Sequence, residues 1–185
     1  NLKVVDATCP LVTRVHNEAK KYRREGKKVI LVGHRGHQEV VGTMGQTNMA
    51  LLDEREAFNL PEWGDDEQVA VLTQTTLSVD DTALAIKRVT DQFPSAIVRN
   101  DICYATTNRQ ESTKIVARKV DVVLVIGAQN SSNCQRLREV AEANGIPAFL
   151  INGPEEIDSS WFDGVSNVGI TSGASTPEVM VQAVI

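Results

Sequence analysis

The chain repeats itself, and that repeat constrains its fold more than any other feature. Asp6-Ala7-Thr8-Cys9 leads into a helical pattern and then an apolar run ending at Gly33, 24 residues after the cysteine. Asp101-Ile102-Cys103 leads into a second helical pattern and a second apolar run ending at Gly127, again after 24 residues. Each glycine opens a polar loop, His34 to Glu39 or Ala128 to Asn133. Each half then offers a short strand, Ala50–Asp53 or Ala148–Ile151, and closes on a strand, a hydroxyl-rich turn and a helix. The turns are Thr73-Gln74-Thr75-Thr76-Leu77-Ser78 and Thr171-Ser172-Gly173-Ala174-Ser175. From cysteine to first threonine is 64 residues in one half and 68 in the other. Ordered self-similarity on this scale signals stacked copies of one supersecondary unit.

The copies are α/β. Lys28–Val32, Gln68–Leu72, Asp121–Ile126 and Asn167–Ile170 are short and β-branched, with apolar residues at successive positions, as strands covered on both faces are. Between them lie helical patterns over Val12–Glu25, Asp80–Phe93, Asn108–Lys119 and Asn133–Asn144, with Ser78 or Asp80 as a cap and Gly26, Pro94 or Gly145 as stops. Strand–helix alternation predicts parallel sheets. The stretch 58–67 reads as a polar surface loop. The core is expected to be aliphatic, since only 4% of the chain is aromatic. A net charge of -5 argues against nucleic-acid or anionic-membrane binding, and no apolar run is long enough to span a bilayer. The chain opens at Asn1 directly into Val4-Val5, which is read as a start inside a longer protein.

Three cysteines without a C-x-x-C pair do not make a disulfide framework. The repeat makes Cys9 and Cys103 equivalent, each at the entry to a helix, where free N–H groups and a partial positive charge favour thiolate. Two such thiolates could form a disulfide, bind zinc with His34 or His37, or ligate an iron–sulfur cluster if a third copy supplied another cysteine. Cys134 lacks a cysteine counterpart and reads as structural, and His16 as a core or surface histidine of its helix. Ligands of open α/β sheets sit at the carboxyl ends of strands. There the sequence places His37, Glu39, Thr75, Thr76, Ser131, Ser132, Asn133 and Ser175. Hydroxyls, an amide and a histidine before helices suit phosphate, and the same residues also serve as plain helix caps. With no Walker loop and no G-x-G-x-x-G, a nucleotide is not favoured. Glu39 is the one carboxylate of that set and a candidate proton donor, with Thr75 placed to hold or pass a proton.

Asp6-Ala7-Thr8-Cys9-Pro10-Leu11-Val12, Gly33-His34-Arg35-Gly36-His37-Gln38-Glu39-Val40, Gly42-Thr43-Met44-Gly45-Gln46, Thr73–Ser78, Asp101–Gln110 and Ser131-Ser132-Asn133 occur in order. Together they resemble the 4-hydroxy-3-methylbut-2-enyl diphosphate reductase (IspH/LytB) family from end to end. The resemblance implies a trefoil of three α/β units around a [4Fe–4S] cluster held by three cysteines. It implies reductive loss of the hydroxyl of (E)-4-hydroxy-3-methylbut-2-enyl diphosphate, giving isopentenyl and dimethylallyl diphosphate in the non-mevalonate isoprenoid pathway. Cys9 and Cys103 would be two cluster ligands, Glu39 the proton donor with Thr75 beside it, and His37, Ser131, Ser132, Asn133 and Ser175 the diphosphate holders. Ferredoxin or flavodoxin would supply electrons, in a bacterial cytoplasm or a plastid stroma. On this reading 1–8 is the last strand of a missing N-terminal repeat, 9–100 the second repeat and 101–185 the third. The third cysteine is missing, so the chain alone is expected to be inactive. The rival readings are a non-redox α/β phosphate-binding module and a zinc hydrolase using the cysteines and a histidine.

Overall fold

A computed structural model of the chain describes residues 2–56, 59–64 and 66–185. The chain forms two compact units, 1–103 and 104–185. The boundary therefore falls after Cys103, where the sequence reading placed it between 100 and 101.

Unit 1 contains α1 (Pro10–Arg24), β1 (Lys28–Val32), α2 (Gln38–Met44), β2 (Ala50–Leu52), β3 (Val69–Thr73), α3 (Val79–Gln92) and β4 (Ile97–Val98). Its strands form a parallel sheet in the order β2-β1-β3-β4. Val29 and Leu31 of β1 pack with Val15, Ala19 and Tyr22 of α1 and Val40 of α2. Ile30 and Val32, facing the other way, pack with Ala85 and Val89 of α3 and with Phe93. Burial on both faces is why β1 reads as an uninterrupted apolar run instead of alternating. Pro10 suits the first helical position of α1, where a missing N–H costs nothing. The chain turns after α1 through Gly26 at φ 81°, a conformation that favours glycine.

Unit 2 contains α4 (Tyr104–Ala117), β5 (Val122–Ile126), α5 (Ser132–Ala143), β6 (Ala148–Ile151), β7 (Val168–Ser172) and α6 (Glu178–Val184), with two short 3-10 turns before β7. Its sheet, also parallel, has the order β6-β5-β7. Val123 and Val125 pack with Leu137 and Ala141 of α5, while Leu124 and Ile126 face Met180 and Val181 of α6. The order β6-β5-β7 repeats β2-β1-β3, so the internal repeat is one of topology as well as spacing.

Four details differ from the sequence reading. Residues 2–8, expected as part of a strand over 1–8, lie in no strand and are exposed; among the described residues no other backbone segment pairs with them. Gln38 and Glu39, expected at the end of the His34–Glu39 loop, open helix α2, which has only seven residues with Gly42 inside it. Helix α4 begins at Tyr104, four residues before Asn108, because its buried face carries Thr106, Gln110 and Thr113, which leave no apolar stripe. In the 58–67 loop, Leu60 and Trp63 pack onto the core, Trp63 5.9 Å from the Phe93 ring, so the segment is not wholly a surface loop. Phe58 and Asp65 lie outside the described residues.

Candidate functional site

In unit 1 the carboxyl ends of β2, β1 and β3 carry three loops, after Leu52, Val32 and Thr73. Gly33, the first residue beyond β1, donates its N–H to the Leu52 carbonyl at 2.9 Å, and Gln74 donates to the Val32 carbonyl at 2.8 Å. The Gly33 loop turns at Gly36, φ 81°, and delivers His37 as the cap of α2. The Nδ1 of His37 accepts from the Glu39 N–H at 3.2 Å, so this ring nitrogen is unprotonated. Burial pushes the His37 imidazole below its ordinary range, with His34 and Arg55 adding to the effect.

Glu39 stands in the first turn of α2 and reaches across to Thr75. One carboxylate oxygen accepts from the Thr75 N–H at 2.7 Å and the other from its hydroxyl at 2.9 Å. Burial raises the Glu39 pKa against these two bonds, and the negative charge of Asp101 adds to the rise. The Thr75 carbonyl accepts from the Cys103 N–H at 3.0 Å. The candidate proton donor, its hydroxyl partner and one candidate cluster ligand thus form a continuous chain of contacts inside one unit.

Gln74 holds this arrangement and was not singled out by sequence reasoning. Its side chain, 1% exposed, accepts from the His34 N–H at 3.0 Å and donates to the Thr76 hydroxyl at 2.8 Å. It therefore ties the loop leading to Glu39 to the loop bearing Thr75. A second clamp lies at Asp53. Burial alone would push this carboxyl up, yet the Arg55 guanidinium and the backbone N–H groups of Arg35 and Arg55 hold it well below the usual carboxylate range. Asp101, also missed, is pushed up to about 6 by burial and by the charge of Glu18. The only signal for Gln74 and Asp101 was their place inside the quoted motifs.

Cys9 precedes α1 and makes no side-chain capping bond, so its thiol stays exposed; Cys103 is half-buried, and neither is in a disulfide. Helix α1 runs back along β1 after a three-residue turn, which brings the Cys9 end of the helix to the carboxyl edge of the sheet. Among the described residues, His34, Asp53 and Glu54 are the only group with ligand atoms placed for a metal ion, and it contains neither cysteine. His34 Nε2 lies 2.7 Å from Glu54 Oε1 and Asp53 is bound by Arg55, so these groups form a hydrogen-bonded strut. Among the described residues, no cysteine joins a histidine in such a group.

In unit 2, Ser131 caps α5 by accepting from the Cys134 N–H at 3.4 Å. Asn133 is 7% exposed with both amide atoms unpartnered among the described residues. Ser132 is half-buried and Ser175 exposed. The repeat explains these positions. His37 and Ser131 both cap the helix four residues after a strand-end glycine, so Glu39 corresponds to Asn133 and Val40 to Cys134. Cys134 is 1% exposed and fills the core slot of a valine, in keeping with a structural role. The register corrects the sequence alignment by one residue: Val32 pairs with Thr73 and Ile126 with Ser172, so Thr73 corresponds to Ser172 rather than Thr171. Thr75 then corresponds to Ala174, which has no hydroxyl to offer Asn133.

Two parallel α/β units of repeated topology, each carrying polar groups at a strand-end helix, define the class of protein. The sequence matches the family described as LytB protein over residues 1–185, and the chain belongs to that family. It is similar to the 4-hydroxy-3-methylbut-2-enyl diphosphate reductase of Pseudomonas fluorescens (strain SBW25), with 51% identity covering 100% of this chain and 61% of that protein. The corresponding reductase 2 of Burkholderia mallei is 50% identical, over 100% of this chain and 58% of its own length. Among solved structures, the E-1-hydroxy-2-methyl-but-2-enyl-4-diphosphate reductase from Plasmodium falciparum superposes with a TM-score of 0.88 at 34% identity, covering 96% of this chain and 57% of that one. The chain thus spans about 60% of the length of the curated relatives it matches.

Proposed function

We propose that this chain supplies two of three repeats of a reductase that removes the hydroxyl of (E)-4-hydroxy-3-methylbut-2-enyl diphosphate, yielding isopentenyl and dimethylallyl diphosphate. The observation that carries the reading is the Glu39–Thr75 pair. A carboxyl whose pKa burial raises, with its oxygens fixed by a neighbouring N–H and hydroxyl, is suited to protonating a departing hydroxyl as water. The full reaction takes up two electrons and two protons and releases one water.

Cys9 and Cys103 fit two thiolate ligands of a [4Fe–4S] cluster: neither is in a disulfide, both precede helices, and neither is fully buried. Such a cluster supplies one-electron steps that no side chain can provide. A third cysteine ligand is absent from this chain. His37 in unit 1 and Ser131, Ser132, Asn133 and Ser175 in unit 2 are the groups proposed to hold the diphosphate. The unpartnered amide of Asn133 supports its part, because a buried amide without a partner costs stability unless a ligand completes it. An electron donor of the ferredoxin or flavodoxin type, a third α/β repeat completing a trefoil, and a bacterial cytoplasmic or plastid setting belong to the same proposal.

The test is anaerobic iron–sulfide reconstitution of this chain beside a version extended by the N-terminal segment of a relative, counting iron and acid-labile sulfide. The extended protein should take up a cluster and reduce the allylic diphosphate, and the chain alone should do neither. Stoichiometric zinc in place of iron, or phosphate binding without redox activity in the extended protein, would overturn the reading.

A further inference from the structure

Charge along this chain is unevenly distributed. Residues 10–28 hold seven basic side chains against two acidic ones, although the whole chain carries -5. Helix α1 buries Val15, Ala19 and Tyr22 against the sheet and exposes Arg14, Lys20, Lys21 and Arg24 on its outer side. Arg14 pairs with Glu18 at 3.4 Å and Lys21 lies 3.9 Å from Glu25. Among the described residues Lys20 makes no ion pair, and Arg24 has only a longer-range attraction to Glu25. Basic residues in a last turn complement the helix dipole, which accounts for Lys21, Arg23 and Arg24 but not for Arg14 and Lys20. A groove of about 590 Å³ beside the helix is lined by Lys20, Arg23, Arg24, Gln46 and Thr47.

We propose that the outer face of α1 is the docking surface for an acidic electron-carrier protein. The inference rests on the reductase reading above. That reaction consumes two electrons per turnover, and these must be delivered to the protein by a reductant. The basic helix begins at Cys9, a proposed cluster ligand, and its 15 residues extend about 22 Å. A partner footprint of about 800 Å² is wide enough to cover that length, so a carrier seated over Lys20, Lys21 and Arg24 also reaches the Cys9 end. Opposite charges on the two proteins would steer their encounter and set the rate of electron delivery. An acidic protein suits this surface better than a nucleic acid, because the remainder of the chain is strongly acidic and would repel an extended polyanion.

The experiment compares the N-terminally extended, cluster-loaded protein with its Lys20→Glu/Lys21→Glu/Arg24→Glu variant, using two electron donors. One is an acidic [2Fe–2S] ferredoxin and the other a reduced viologen, which needs no docking face. The expected result is a tenfold or greater rise in KM for ferredoxin, loss of its ionic-strength dependence, and unchanged viologen-driven turnover. An unchanged ferredoxin KM overturns the proposal, as does a fall in viologen-driven turnover, which would mean that the face is covered by the extension or needed for folding. Failure of the unsubstituted protein to turn over with viologen would instead sink the reductase reading itself. RNA binding abolished by the variant while ferredoxin kinetics stay the same would assign the face to a polyanion and overturn the proposal.

Discussion

Both carboxylate oxygens of Glu39 are held by a single residue, Thr75, through its N–H at 2.7 Å and its hydroxyl at 2.9 Å. These bonds favour the ionised carboxylate while burial favours the acid, and burial prevails. Turnover that needs protonated Glu39 should therefore fall as pH rises through its elevated pKa. Thr75→Val removes a bond that stabilises the carboxylate, so the descending limb should move to higher pH. In the cluster-loaded extended protein, Glu39→Gln should lower kcat by roughly 10²–10⁴-fold with little change in iron content. Steady-state kinetics across pH with both variants checks this, and full activity in Glu39→Gln would remove Glu39 from the chemistry.

Gln74 is expected to matter out of proportion to its place beside the site. Gln74→Leu removes the acceptor of the His34 N–H and the amide that donates to the Thr76 hydroxyl. Loss of about 1–3 kcal/mol is expected from an urea unfolding curve. The variant should also lower kcat, because the loops bearing Glu39 and Thr75 lose their tie.

Asp53 makes stability depend on acid. Its carboxyl is held below the usual range by Arg55 and two backbone N–H groups, despite its burial. A depressed folded pKa contributes stability that is fully present above the ordinary carboxylate value and is lost as pH falls below it. Unfolding midpoints should drop between about pH 4 and pH 2, and Asp53→Asn should flatten that slope while lowering stability at neutral pH.

The Cys134 slot can be tested by a mutant cycle. A Cβ placed at Gly173 would overlap the Cys134 sulfur and stand 3.1 Å from Thr176 Oγ1. Gly173→Ala should cost about 1–3 kcal/mol by overpacking. Adding Cys134→Ala should restore part of that loss, giving a coupling of about 0.5–3 kcal/mol in thermal or urea unfolding. Strict additivity would show that the sulfur and Gly173 are not packed together.

Short-range chemistry was legible in the sequence. Lys28–Val32 reads as a covered strand because every position is apolar or amphipathic, and β1 has those bounds. A hydroxyl before a helix satisfies a free N–H, so Ser78 or Asp80 and the Ser131–Asn133 run are cap candidates, and Ser78 and Ser131 are the ones that accept such a bond. The equal 24-residue spacing from cysteine to glycine already implied one topology used twice. Partners distant in sequence were decided only by tertiary structure. The Glu39–Thr75 pair spans 36 residues and the Gln74–His34 bond 40. Neither can form until parallel pairing of β1 with β3 brings Val32 beside Thr73. That register also made Ser172 the counterpart of Thr73, which spacing alone missed by one residue. Periodicity and capping are local and survive in a linear reading. Register, burial and the pKa shifts that follow from burial arise only when two distant strand ends meet.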